Sequence, residues 1–325
     1  MNPGEITLAA QSLTKTLGGK PVLTDINLQL HAGEWLGILG ESGSGKSTLL
    51  RILGRFLDAE QGDVFFRNEK LRAVSGELMP GHKAIRLIHQ EFELFPNQTV
   101  EENIAYALRF HDPVYKKKSV EELIAITALE SVRTQKAKLL SGGEKQRTAI
   151  ARALAGQPDV LLLDEPFAHL DNHNRNVLAT AIENLRREHR TSCIFVTHEA
   201  SDALAWSDSI AVLQNGKIIQ TGSPQEVYNA PVSSYVAELT GDINWLVSES
   251  DTKQHYLRPE KIRLTRNPDK CKWKGKVTAI RFHGNYWEIV CTGNHQQLAF
   301  YRTRPELEVG QEVMLNYAAK DLRSV

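Results

Sequence analysis

The spacing of hydrophobic and polar positions changes several times along the chain, and each change marks an element. Residues 5–8 and 22–30 alternate as half-buried strands do, and Trp35-Leu36-Gly37-Ile38-Leu39 is a continuous apolar run. Helical spacing follows over 46–57, with a stop expected near Gly54 or Asp58. Stretches 62–66 and 84–90 read as strands, then 99–110 and 119–130 as helices, the second opening on a Ser119/Glu122 capping box. A helix is predicted from Ser141 to about 155, stopped by Gly156 and Pro158. Residues 159–165 form an apolar run bounded by turn signals, the kind of strand buried on both faces of a parallel sheet. Asp171 caps a helix reaching His189, 191–198 is the next strand, and Asn215-Gly216 marks a hairpin. Ser223-Pro224-Gln225-Glu226 opens a short helix. Strands alternating with helices predict a doubly wound α/β sheet that binds its ligands at the carboxyl ends of the strands. From Gly241 the runs shorten, and 276–280, 286–290 and 312–316 predict a small all-β domain. Domains are therefore expected over 1–240 and 241–325.

Composition changes this picture little. The chain is 41% hydrophobic and 24% charged, with Lys+Arg and Asp+Glu equal at 39 each. Such neutrality gives no support for nucleic acid as a partner. Cys193, Cys271 and Cys291 make no disulfide framework. Met1-Asn2-Pro3-Gly4-Glu5 has no leader character, and no stretch approaches about 18 apolar residues. A cytoplasmic chain that does not span a membrane is expected.

Candidate chemistry concentrates in three places. Gly40-Glu41-Ser42-Gly43-Ser44-Gly45-Lys46-Ser47-Thr48 lies between the apolar run and the helix, as G-x-x-x-x-G-K-[ST] does. Its glycines let successive N–H groups converge on an anion at a helix N-terminus. Lys46 reaches the outer phosphates of a nucleoside triphosphate, and the Ser47 hydroxyl is placed for Mg²⁺. A glycine-rich turn with a surface lysine is the plainer reading, and the strand–loop–helix context argues against it. Asp164 and Glu165 end the strand over 160–163. Phosphoryl transfer needs a metal to spread charge and a group to orient the attacking water, so Asp164 is assigned to the metal and Glu165 to the water. In Leu140-Ser141-Gly142-Gly143-Glu144, Ser141 and Glu144 have capping-box spacing, but two first-turn glycines cost about 1–2 kcal/mol against alanine. Bare N–H groups beside Ser141 suit a second anion, which implies a second subunit completing the first one's site.

These segments together resemble the nucleotide-binding subunits of ATP-binding-cassette (ABC) transporters, over residues 5–240 without a break. The resemblance implies a P-loop NTPase cassette with a mixed, mainly parallel sheet and a helical signature subdomain, hydrolysing ATP with Mg²⁺. It implies a head-to-tail homodimer with ATP held between one chain's loop and the other's signature. The loop residues are Gly40, Ser42, Gly43, Ser44, Gly45, Lys46, Ser47 and Thr48, and the signature residues are Ser141, Gly142 and Gly143. Gln90 is assigned to a loop sensing Mg²⁺ and the membrane partner, His198 to the γ-phosphate switch, and Asp171 to the loop crossing the dimer. Residues 90–96, Thr99-Val100-Glu101-Glu102-Asn103 and Leu257-Arg258-Pro259-Glu260 resemble bacterial importers of sugars, polyamines or iron(III). That implies integral membrane permeases as partners, an external solute-binding protein indirectly, and a peripheral position on the inner face of the cell membrane. Residues 241–325 resemble a short transport-associated OB-like domain. Two positions depart from the pattern: Leu17 stands where an adenine-stacking aromatic is expected, and Ala168 where a serine is usual. A soluble ABC-class ATPase not linked to transport is the competing class. Such proteins usually carry two cassettes or a long coiled-coil insertion, and neither pattern is visible.

Overall fold

The computed structural model describes all residues except 1–3, 78–79, 90–93, 169, 190, 247–254, 294–295, 305 and 325, and leaves aside the side chains of 172–173 and 185–189. It divides into two compact units, Met1–Pro224 and Gln225–Val325. In the first, strands β1 (Ile6–Leu17), β2 (Lys20–His31) and β3 (Trp35–Leu39) precede helix α1 (Lys46–Leu53). Then come β4 (Gln61–Phe66), β5 (Glu69–Lys70), β6 (Ile85–Ile88), α2 (Val100–Ala107), α3 (Pro113–Ile126) and α4 (Gly142–Ala155). The unit continues with β7 (Val160–Asp164), α5 (Asn172–His189), β8 (Ser192–Thr197), α6 (Ala200–Trp206), β9 (Ser209–Gln214) and β10 (Lys217–Gly222).

The central sheet has the order β10-β9-β3-β8-β7-β6. All its pairings are parallel except the β9–β10 hairpin. A four-stranded antiparallel sheet, β2-β1-β4-β5, stands beside it. The apolar runs of β7 and β8 follow from burial on both faces. Val160, Leu162, Ile194 and Val196 pack with α1 and the antiparallel sheet. Leu161, Leu163, Cys193 and Phe195 pack with the helices α2 to α5. Alternate residues of one strand thus feed two cores, so neither face tolerates a polar side chain. Truncating a side chain such as Leu162, fully buried, would cost about 2–5 kcal/mol.

Two local expectations need correction, and one helix of this unit was not expected. β1 extends to Leu17 rather than stopping near residue 8. Its alternation is broken where Ser12 takes φ 48° and the register with β2 shifts between Ala10 and Leu13, as a β-bulge does. Helix α3 begins at Pro113 and not at Ser119, because Asp112 accepts hydrogen bonds from Val114 N and Tyr115 N and Pro113 occupies the first turn. Helix α6 has no counterpart among the predicted elements.

The second unit opens with α7 (Pro224–Asn229) and α8 (Ser234–Leu239), followed by β11 (Asn244–Leu246), β12 (His255–Leu257), β13 (Arg263–Leu264) and β14 (Trp273–Phe282). Strands β15 (Trp287–Gly293), β16 (Gln296–Arg302), β17 (Glu312–Asn316) and β18 (Arg323–Ser324) complete it. A five-stranded antiparallel sheet, β13-β17-β14-β15-β16, and a three-stranded one, β11-β12-β18, give the expected small β-rich domain. Its core includes Trp273, Ile289, Leu298, Phe300 and Leu315. The chain divides after residue 224, earlier than the change of pattern at 241. Arg258 explains why the two helices go with the strands. Its guanidinium, only 5% exposed in the residue as a whole, donates to Ala237 O (2.9 Å), Gly241 O (2.8 Å) and Thr240 Oγ1 (2.9 Å). It also lies 4.1 Å from the centroid of the Tyr228 ring. Among the described residues no helix is long and apolar enough to cross a membrane.

Candidate functional site

The loop between β3 and α1 is held open by backbone that only small residues allow. Gly43 and Gly45 have φ 83° and 108°, and Gly45 is the N-cap of α1. A Cβ on Gly40 would lie 2.4 Å from Leu213 O, and one on Gly216 would lie 2.3 Å from Val22 O. The β9–β10 turn, with Asn215 and Gly216 at φ 48° and 74°, braces the loop from behind. Gly216 N donates to Ser44 O at 3.1 Å, and Gly40 N donates to Thr197 O at 3.3 Å. The loop is thus tied to β8 and β9 before any ligand enters. Lys46, 5% exposed, donates through Nζ to Gly40 O (2.8 Å) and Glu41 O (2.9 Å). Burial holds its ammonium below the ordinary lysine range, against the pull of Glu165, Asp164 and Glu41.

Strand β7 delivers the carboxylates to the same edge. Asp164 is the last residue of the strand, and Ser47 Oγ donates to its Oδ1 at 3.1 Å. Burial raises the Asp164 carboxyl above its usual range, and neighbouring Glu165 adds to the rise. Glu165 turns the chain out of the sheet with φ 49°, its N–H still donating to Val196 O at 3.1 Å. That left-handed backbone is uncommon for a non-glycine residue and aims the side chain off the strand line. His198 follows β8, and its Nδ1 lies 3.1 Å from Glu165 Oε1. Lys46, Ser47, Asp164, Glu165 and His198 therefore meet at the carboxyl ends of β3, β7 and β8.

This edge fits Mg²⁺ and a polyphosphate. Among the described residues no group of three His, Cys, Asp or Glu makes a cation cage. One hydroxyl and one carboxylate, Ser47 and Asp164, are the hard-oxygen partial set that Mg²⁺ takes when phosphates supply the rest. Ser44 Oγ is buried in the loop with no hydrogen-bond partner, a donor positioned for a phosphate oxygen.

Ser141 and Asp171 belong to a second group. Ser141 caps α4: its Oγ accepts from Glu144 N (3.4 Å), and its N–H donates to Glu144 Oε2 (2.8 Å). A Cβ on Gly142 would meet nothing within 4 Å, so packing alone does not require glycine there. Gly143 has a packing reason that the sequence did not reveal, since a Cβ there would lie 3.0 Å from Asn174 Cγ. Asn174 was overlooked in the sequence and connects the group. Its N–H donates to Asp171 Oδ1 (2.8 Å), its amide to Asp171 Oδ2 (2.9 Å), and its Oδ1 accepts from Arg147 Nη1 (3.3 Å). Its spacing three residues after Asp171 was the available sign. Gln146, also missed, donates from α4 to Pro166 O, next to Glu165. Leu17 ends β1 at 44% exposure. Gln90 lies outside the described residues.

A family model described as "ABC transporter" matches residues 23–168, and one described as "TOBE domain" matches 256–324. The sulfate/thiosulfate import ATP-binding protein CysA of Halalkalibacterium halodurans is 38% identical over 265 residues, covering 80% of this chain and 72% of that protein. The spermidine/putrescine import ATP-binding protein PotA of Clostridium novyi is 33% identical over 345 aligned positions, covering 98% and 97%. Among solved structures, cbiO1 from Clostridium perfringens, part of the ABC transporter complex cbiONQ, aligns with a TM-score of 0.62 at 26% identity, over 69% of this chain and 90% of that one. The ATP-binding cassette MJ0796, dimeric in a post-hydrolysis state with ADP and Pi, aligns with a TM-score of 0.59 at 29% identity, over 67% and 98%. The similarity runs through both units and takes in the loop, the carboxylate strand and the signature helix, and on it the chain belongs to the ABC transporter family, as an ATP-binding ATPase with a TOBE domain.

Proposed function

We propose that this chain is the ATP-hydrolysing subunit of an importer, working as a head-to-tail homodimer on the inner face of the cell membrane. Integral permease subunits are its direct partners, an external solute-binding protein its indirect one, and nucleic acid has no part. The observation that carries the catalytic reading is the Glu165–His198 pair beside Asp164 and Lys46. The backbone N–H groups of 40–48 and the Lys46 ammonium bind the phosphates of ATP, and Ser47 and Asp164 would hold Mg²⁺, with Gln90 assigned to it by the resemblance. When bound there, the metal would supply neutralisation of the charge that develops on the transferring phosphoryl group. Glu165 accepts the proton of the attacking water. His198 holds the Glu165 carboxylate through Nδ1, 3.1 Å from Oε1, with its Nε2 3.5 Å from Glu199 Oε1, and serves as the γ-phosphate switch. Ser141 and Gly142 of the partner subunit close over that phosphate, and Asp171 lines the crossing. Relatives named for sulfate/thiosulfate and for spermidine/putrescine resemble this chain almost equally, which supports import but leaves cargo selection to the permeases and binding protein. A polyamine stays within the sugar, polyamine or iron(III) set, and sulfate falls outside it.

Glu165→Gln tests the assignment, because the amide keeps size and hydrogen bonding but cannot take the proton. Steady-state ATPase should fall about 10²–10⁴-fold while ATP affinity is retained. Activity within a few-fold of the parent would show that Glu165 is not the base.

A further inference from the structure

A cleft of about 550 Å³ lies between the C-terminal end of α1 and the β4–β5 hairpin, apart from the residues that handle ATP. Arg55 lines it, 8% exposed, and its Nη2 is buried without a hydrogen-bond partner. Asp58 Oδ1 stands 3.7 Å away, an ion pair but too far for a hydrogen bond. Both Asp58 oxygens are already engaged, by Val74 N at 2.7 Å and Ser75 N at 2.9 Å. Lys70 at the rim pairs with Asp63 at 2.7 Å, and Arg72 is exposed. The lining thus holds three cations, Arg55, Lys70 and Arg72, against two carboxylates, Asp58 and Asp63, an excess of one positive charge.

Helix termination does not account for Arg55. It follows Gly54 with φ 64°, a left-handed position just past the helix where glycine is the easy residue. A large side chain stands at the strained position, and its guanidinium is buried with Nη2 lacking a hydrogen bond. Burying such a donor without a hydrogen bond is unfavourable, and a guanidinium fork matches a planar carboxylate or a phosphate in two parallel hydrogen bonds. We propose that this cleft is an oxyanion site, taking a small ligand that carries a phosphate monoester or a carboxylate. Arg55 grips the oxyanion at the base, and Arg72 and Lys70 close the rim.

The test uses the full chain, ¹⁵N-labelled and saturated with ADP. Inorganic phosphate and succinate are titrated separately at constant ionic strength. Saturable amide shifts are expected at Arg55, Val74 and Ser75. Arg55→Gly, which removes the guanidinium and eases the left-handed backbone, should weaken binding at least tenfold while leaving the spectrum elsewhere intact. Arg55→Lys should keep binding within several-fold of the parent, and Arg72→Ala should weaken it several-fold. Saturation by phosphate alone identifies a phosphate monoester site, and saturation by succinate alone a carboxylate site. Shifts that never saturate, that are equal in parent and Arg55→Gly, or that stay confined to residues 40–48 overturn the proposal, for then solvent alone fills the cleft.

Discussion

At the position where the resemblance expects an adenine-stacking aromatic, Leu17 would offer a nucleotide base apolar contact but no π-face. A base stacked on an aromatic side chain gains on the order of 1–3 kcal/mol, which a leucine at that position would forgo. Leu17→Tyr should therefore tighten ATP binding, with little change in maximal rate because the base lies far from the reacting phosphate. GTP should serve within about tenfold of ATP, equal to about 1.4 kcal/mol. Nucleotide affinities of both proteins check this, and an unchanged ATP affinity in Leu17→Tyr would mean that residue 17 does not face the base. At this scale the sequence was most informative where residue chemistry is irreplaceable. Gly45 takes φ 108°, and Lys46 turns its ammonium back onto Gly40 O and Glu41 O, so the motif's glycine and lysine shape the loop together. Asn174 was missed because its job is relational: any asparagine looks alike until Asp171 and Arg147 are seen on either side of it.

Between elements, α5 and α6 are joined by Arg175 Nη1 to Asp202 Oδ1 at 2.9 Å, with the Asp202 side chain 4% exposed and Arg175 31%. Burial raises the Asp202 carboxyl above its usual range, and Arg175 opposes the rise. With the folded pKa above the unfolded value, the charge costs stability from the unfolded pKa upward, in full above the folded pKa, and costs nothing in acid below both. Arg175→Met leaves that charge without its partner. We expect a loss of about 1–3 kcal/mol at pH 7, less than a fully buried pair because Arg175 is partly solvated. The gap between variant and parent should narrow as pH falls toward about 4. Urea midpoints from pH 7.5 to 4.5 measure it, and a gap independent of pH would assign the loss to packing instead. Helix α6 itself escaped the sequence reading. It has seven residues, and its N-cap, Glu199, makes no side-chain capping bond, so neither length nor cap announced it. Helix α4 announced itself through Ser141 and Glu144, whereas the Ser119/Glu122 spacing was a false start inside α3.

For the whole molecule, the strongest expectation is that active sites are shared. Lys46 and Ser141 would then serve different sites of one dimer. Mixing Lys46→Ala chains with Ser141→Arg chains places both lesions in one composite site of the mixed dimer and leaves the other whole. ATPase should recover in the mixture to a fraction of the parent's, while each variant alone stays inactive. Mixed dimers that form and show no recovery would rule the shared site out. The division of the chain was legible only approximately, because the change from helical to β spacing at 241 marks composition, whereas contacts decide cohesion. Arg258 gathers α8 and the Tyr228 ring into the unit that carries it, through carbonyls at 237 and 241. Anyone grafting this module onto another ATPase, or tracing where recombination between relatives could have spliced it, should look for the seam after Pro224. A splice at 240 would hand the helices to one parent and the arginine that secures them to the other, and each hybrid would inherit half of a joint.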